Sequence, residues 1–226
     1  MKSMRQVEDL ISEPEIDLEA PEAYLLAEQR VFIRNVSWDV YDKLSASPGR
    51  SAPRFAYDKG LLEIMSPSSL HEEIKETTSL IVRLWGIEKR IKVRGFGSTT
   101  FRRKDLKRAF EPDTCFYIQS LNLLRLNDEI DLEKDPPPDI VVEIDITNSS
   151  MDKFPLFSEI GIGEVWRYGK GMRIFKLESG SYTEVDESPS LPGLTAGVLT
   201  ELIQQSKTME DEEWMELLRR YAGRSK

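Results

Sequence analysis

Ile140-Val141-Val142-Glu143-Ile144-Asp145-Ile146 is a short apolar run that contains two acidic residues. Its isoleucines and Val142 recur at every second position, which is the period of a β-strand with one face in the core. Glu143 and Asp145 therefore point to the opposite face, about 7 Å apart by the rise of a strand. Because a partly buried strand rarely accepts adjacent like charges without compensation, the pattern predicts a bound cation, a bound proton or a paired lysine.

A second acidic strand is predicted upstream. Glu111-Pro112-Asp113-Thr114-Cys115-Phe116-Tyr117-Ile118 is typical of a strand that the chain enters through a proline. An Asp at the start of one strand, a Glu within the next and Lys153 soon after indicate a site that cleaves phosphodiesters. The carboxylates would hold Mg²⁺ or Mn²⁺, since these hard cations prefer oxygen ligands. The metal would activate water and stabilise charge on the phosphate, and the lysine would stabilise or position the nucleophile.

Several residues near this pattern have two interpretations. Asp145 is either a further metal ligand or an exposed acid at the end of the strand. Lys153 is either catalytic or a lysine that neutralises the acids. His71, the only histidine, is either a residue of a helix N-terminus near the site or a general base.

Seven short motifs follow one another along the chain. They are Tyr57-Asp58-Lys59-Gly60-Leu61-Leu62-Glu63-Ile64-Met65-Ser66-Pro67, His71-Glu72, Glu111-Pro112-Asp113, Pro138-Asp139-Ile140-Val141-Val142-Glu143, Asp152-Lys153, Gly161-Ile162-Gly163-Glu164-Val165-Trp166 and Leu191-Pro192-Gly193-Leu194. In order and spacing the motifs resemble the Uma2 (DUF820) family of endonucleases, within the PD-(D/E)xK restriction-endonuclease-like superfamily. The resemblance runs from about Arg30 to about Leu202.

The resemblance implies an α/β fold, with a restriction-endonuclease-like mixed central β-sheet flanked by helices. An extra N-terminal hairpin and a C-terminal helix are predicted beside it. The domains expected are an acidic N-terminal tail (1–29), the restriction-endonuclease-like domain (30–202) and a C-terminal helical extension (203–226). The implied activity is a Mg²⁺- or Mn²⁺-dependent endonuclease that hydrolyses DNA. The alternative is a catalytically inactive module on the same fold that binds nucleic acid or protein.

The resemblance also implies roles for site residues. Asp113 and Glu143 match the metal-binding acids of the family, and Lys153 matches a lysine displaced from the strand to the start of the next helix. The chain departs from the simplest superfamily pattern, which has a lysine where this sequence has Asp145. A helical glutamate also contributes in this superfamily, and either Glu72 or Glu73 fits that position.

Composition narrows the function classes. The 226 residues are enough for one domain with a sizeable core. The single cysteine, Cys115, and the single histidine exclude an intramolecular disulfide, a thiolate zinc cluster and a multi-histidine metal site. No apolar run is long enough to cross a bilayer, and the N-terminus lacks a signal-peptide pattern. We therefore expect a cytoplasmic protein with no membrane partner.

Charge is distributed unevenly along the chain. The net charge of −9 argues against a general nucleic-acid coat. A strongly basic region between Arg83 and Arg108 nevertheless leads directly into the strand of Asp113. Arg102, Arg103 and Lys104 within it are predicted to hold a DNA backbone, the alternative being a solvated helix face and hairpin. A C-terminal helix containing Trp214 suggests a homo-oligomer, and we expect a dimer.

Overall fold

The computed structural model describes residues 28–46, 53–125, 130–146 and 151–224, and the predicted tail up to residue 27 lies outside these ranges. The described residues form eleven strands and five α-helices. The strands are β1 (Gln29–Ile33), β2 (Arg54–Asp58), β3 (Leu61–Ser66), β4 (Arg94–Gly95), β5 (Phe101–Arg103), β6 (Arg108–Phe110), β7 (Thr114–Tyr117), β8 (Ile140–Ile144), β9 (Glu164–Tyr168), β10 (Met172–Glu178) and β11 (Ser181–Val185). The helices are α1 (Trp38–Ser45), α2 (Ser69–Lys89), α3 (Phe154–Ile160), α4 (Ala196–Gln205) and α5 (Asp211–Arg224).

The strands form two sheets. The larger has the order β11-β10-β9-β8-β7-β4 and is antiparallel except for β8 and β9, which are parallel and joined by the crossover helix α3. This confirms the predicted mixed central sheet. The smaller has the order β1-β3-β2-β6-β5 and is antiparallel throughout. The predicted N-terminal hairpin, β2–β3, is therefore the centre of a five-stranded sheet, because β1 and the β5–β6 hairpin pair with its two sides.

The central strand β8 is buried on both faces, as expected of a strand in the middle of a covered sheet. Ile140, Val142 and Ile144 face a core that also contains residues of α2, α4 and α5. Val141 faces a second core under α3. An acidic side chain on this second face is therefore taken out of water.

Helix α2 packs across the sheet face that contains Ile140, Val142 and Ile144. The Ser68 side chain caps it by accepting from the backbone N–H of His71 at 3.2 Å. Ile74, Ile81 and Trp85 recur at helical spacing and are buried against the sheet. The cap therefore holds the first turn of α2 beside the strand ends.

The C-terminal segment is part of the same core. Helix α4 spans the predicted boundary at residue 202, and Trp214 and Leu218 of α5 pack in the core with β8. The Trp214 indole N–H donates to the Leu202 carbonyl at 2.8 Å. The predicted extension is thus an integral layer of the domain, because its apolar side chains cover the sheet face beside α2.

Candidate active site

Strand pairing places two acids next to each other. In the antiparallel register of β7 and β8, Thr114 pairs with Val142. The regular pairing ends there, and the Asp113 N–H donates to the carbonyl of the same Val142 at 3.2 Å. Asp113 and Glu143 are the next residues on the two strands, and Asp113 Oδ2 accepts from the Ile144 N–H, so the two acids are neighbours at this end of the strand pair. Both are almost fully buried, so two carboxylates share one enclosed position.

Lys153 completes this cluster. It occupies the N-cap position of α3, and its Nζ lies 2.5 Å from Glu143 Oε2. Burial raises the pKa of Glu143 to about 7, against the opposing effect of Lys153. The other carboxylate oxygen, Oε1, is buried and has no hydrogen-bond partner among the described residues. An orphaned carboxylate oxygen of this kind suits a bound cation.

Asp113 has partners on both oxygens. Arg54 pairs with Oδ1, while Oδ2 accepts from the Ile144 N–H at 2.6 Å and lies 3.1 Å from His71 Nε2. Burial by itself would raise the pKa of Asp113, but His71 and Arg54 outweigh it and lower the pKa to about 2. Asp113 is therefore ionised at neutral pH.

The first turn of α2 is linked to the acids through Arg54. Arg54 also pairs with Glu72, and His71 Nδ1 lies 3.7 Å from the same carboxylate. Glu73 is exposed on the other side of the helix. Of the two glutamates that the sequence left open, Glu72 is the one that the structure places in this network.

Sequence reasoning missed Arg54 and two further residues of the smaller sheet. Glu63 of β3 is buried, accepts from the Met151 N–H at 2.9 Å and lies 3.8 Å from Lys153 Nζ. Arg30 of β1 pairs with Glu63 and lies 3.0 Å from Asp145. The only signal in the sequence was a charged residue inside each of two apolar strands.

Asp145 lies just past the end of β8. It is held by Arg30 and by Arg167, whose Nη2 lies 2.6 Å from Asp145 Oδ2. Glu143 and Asp145 do share a face, as the alternation predicted. The structure nevertheless directs the Asp145 carboxylate to two guanidinium groups, and not to the position between Asp113 and Glu143.

Arg102, Arg103 and Lys104 lie away from the acids. Arg103 pairs with Arg108 in the sheet, and Arg108 pairs with Asp58 at the far end of β2 from Arg54. Asp58 follows Arg54 by four residues along the strand, which amounts to about 13 Å. Because β6, the partner of β5, pairs with that far end of β2, the structure does not bring the predicted basic cluster to the acid pair.

A small cavity adjoins Glu143. Its volume is about 10 Å³, and its lining includes Glu143, Lys153, Phe154 and Arg167. This is close to the space that one water molecule needs. Within the described ranges, no three Asp, Glu, His or Cys side chains form a ready-made metal cage. The site thus offers two neighbouring carboxylates and one orphaned oxygen, with room for a single small ligand on the Lys153 side of Glu143.

Comparison with known proteins identifies the family of the chain. Residues 38–203, most of the chain, match the model of the Uma2 family, whose description is "Putative restriction endonuclease". The chain belongs to the Uma2 family. The Uma2 residues include both neighbouring acids, Lys153 and the site residues of the smaller sheet apart from Arg30.

The fold of this Uma2 protein is similar to that of a solved structure. That structure is described as "a putative nuclease belonging to DUF820" from Anabaena variabilis ATCC 29413. The two share 16% sequence identity with a TM-score of 0.51, and the match covers 83% of this chain and 99% of the other. No curated protein matches the chain. Among the described residues, no helix combines the length and the apolar character needed to cross a bilayer.

Proposed function

We propose that this Uma2 protein is a metal-dependent endonuclease that hydrolyses phosphodiester bonds in DNA. The observation that supports it best is the pair of buried carboxylates, Asp113 and Glu143, next to each other beside Lys153. Burying two acids next to each other is costly unless a cation or a proton is also bound. In a site that hydrolyses phosphodiesters, such a pair has a role, because the two carboxylates can hold the catalytic metal ion.

Asp113 and Glu143 would hold Mg²⁺ or Mn²⁺. The donor set fits, because Mg²⁺ is commonly bound by one or two carboxylates and completes its shell with water and substrate phosphate. When bound, the metal supplies Lewis acidity for the phosphate and lowers the pKa of a water molecule. We do not assign Asp145 as a ligand, because Arg30 and Arg167 already hold its carboxylate.

Lys153 holds a proton next to Glu143. Burial lowers the pKa of Lys153, but Glu143 and the other nearby acids raise it to above the usual value of a lysine. The side chain is therefore an ammonium group at the neutral pH of the reaction. It would donate to the phosphate or to the attacking oxygen and stabilise the negative charge that develops there.

The proposal is tested by a cleavage assay on supercoiled, linear and single-stranded DNA, with Mg²⁺ or Mn²⁺ against EDTA. We expect cleavage that requires metal. An absence of cleavage on every substrate, together with a metal-induced rise in melting temperature, would favour the alternative of an inactive binding module. The pairing of Asp113 with Arg54 and of Glu143 with Lys153 favours that second candidate, because the acids are already partly neutralised without a metal.

The predicted dimer stays a prediction. Sedimentation velocity at several protein concentrations measures the oligomeric state directly. A single species with the mass of one chain at all of them would contradict it.

Metal affinity is expected to fall as the pH falls below about 7. Glu143 keeps its proton below its pKa of about 7, and a metal binds only the ionised carboxylate. Each unit below that pKa should therefore weaken binding about tenfold. Titration calorimetry with Mn²⁺ between about pH 6 and pH 8 measures the effect. A dissociation constant that is flat across this range would contradict the prediction.

Replacing Arg54 is expected to strengthen metal binding. Arg54 occupies Asp113 Oδ1, so the metal must displace its guanidinium, and a nearby like charge repels the incoming cation. We expect Arg54→Ala to lower the dissociation constant for Mn²⁺ by at least about tenfold, which corresponds to about 1.4 kcal/mol. Calorimetry on the folded variant provides the measurement. An unchanged or weaker affinity would mean that Arg54 supports the site instead of competing for it.

A further inference from the structure

Four charged residues form a row across the central sheet. Asp113 lies beside Glu143, Glu143 is in register with Arg167, and Arg167 pairs with Arg173. Residues in register on neighbouring strands share a face and are separated by about 5 Å. The row therefore passes from two acids on β7 and β8 to two arginines on β9 and β10.

A larger cavity lies at the arginine end of this row. Its volume is about 420 Å³, and its lining includes Asp145, Arg167, Lys170, Arg173 and the two glycines that flank Lys170. It opens where the parallel strands β8 and β9 end at their carboxyl termini, a common position for ligands in α/β sheets. Arg167 also lines the small cavity beside Glu143, so the two cavities share one guanidinium.

The charges around the larger cavity are unbalanced. Like charges directly opposite in a sheet are unfavourable, and Arg167 and Arg173 are such a pair. Asp145 and Glu184 offset them through ion pairs. Lys170, exposed in the β9–β10 turn, has no ion pair or hydrogen bond with any other described residue.

We infer that this cavity binds the backbone phosphates of the nucleic-acid strand on one side of the scissile bond. Lys170 and Arg173 contact phosphate oxygens directly, since their side chains are exposed at the cavity. Arg167 links this subsite to the acid pair. The inference rests on the proposed nuclease function and assigns the strand-binding role to the β9–β10 hairpin, in place of Arg102, Arg103 and Lys104.

The test is equilibrium binding to fluorescein-labelled DNA, followed by anisotropy with Ca²⁺ in place of Mg²⁺. The Lys170→Gln/Arg173→Gln double variant is compared with the wild type between about 50 and 200 mM salt. Each lost phosphate contact reduces the slope of log affinity against log salt by about 0.9 on duplex DNA. We expect the double variant to bind at least about tenfold more weakly at the low salt and to lose about two units of slope.

Lys176→Gln is the matched control. Lys176 lies on the same strand as Arg173, pairs with the exposed Glu178 and is not part of the cavity. We expect its affinity and salt slope to equal those of the wild type. The melting temperature of each variant verifies that it is folded, which exposed positions should allow.

Two outcomes of the binding experiment would overturn the inference. One is that the wild type does not bind DNA, and the other is that the double variant binds with unchanged affinity and salt slope. The proposed nuclease function is tested separately, by the cleavage assay. If the double variant cleaves DNA at the rate of the wild type, the proposed nuclease function stands and this subsite is rejected. Salt-dependent binding through Lys170 and Arg173 without cleavage would preserve the subsite and reject the nuclease.

Discussion

Glu143→Ala is expected to reduce metal-dependent DNA cleavage by at least about a thousandfold. A metal ligand contributes several kcal/mol to transition-state stabilisation, and about 4 kcal/mol corresponds to a factor of a thousand. Glu143 has an orphaned carboxylate oxygen and lines a cavity of the size of a single water molecule. The rate of nicking of supercoiled DNA at saturating Mg²⁺ provides the measurement.

Glu143→Gln separates the loss of the negative charge from the loss of side-chain packing, which Glu143→Ala removes together. The amide keeps the volume of the side chain and an oxygen that Lys153 can donate to, but it has no negative charge for the metal. We expect the variant to fold, to lose cleavage, and to lose the rise in melting temperature that Mn²⁺ gives the wild type. A Glu143→Gln protein that cleaves like the wild type would refute both the metal site and the role of Glu143.

The acid pair could be predicted from the sequence because the signals for it lie within short segments of the chain. Alternation within β8 and the proline before Asp113 indicated two strands with acids near their ends, and pairing of consecutive strands brings such positions together. The sequence also marks the start of the following helix, because Pro155 is tolerated only in a first turn and Lys153 comes two residues before it. Each of these inferences used residues that are close in the chain.

The remainder of the site depends on contacts between distant segments. Arg30, Arg54 and Glu63 belong to the smaller sheet, and the sequence contains no local signal for how that sheet packs on the central one. Arg102 and Arg103 were assigned to the substrate from charge alone, and the pairing of β5 with β6 turned them to another part of the molecule. The pattern of strands was thus predictable, whereas the packing of one sheet on the other was not.

Arg30→Ala is expected to lower the free energy of unfolding by about 3–5 kcal/mol, the usual cost of removing one partner from a buried charge network. The Arg30 side chain is only 2% exposed and pairs with Glu28, Glu63 and Asp145. Its loss leaves these carboxylates in a low-dielectric environment with less compensating charge. For a chain of this size the melting temperature should fall by roughly 6–20 °C, measured by calorimetry without added metal.

Arg219→Ala provides the matched control, because it removes an arginine from an exposed ion pair with Glu88. Exposed pairs contribute at most about 1 kcal/mol, so the melting temperature should fall by no more than roughly 4 °C. Arg30→Lys should be intermediate, since an ammonium keeps the charge but lacks the planar fork that reaches Glu63 and Asp145 together. If Arg30→Ala melts like Arg219→Ala, the buried acids tolerate each other without Arg30. Strand β1 would then contribute only packing, and no compensating charge, to the site.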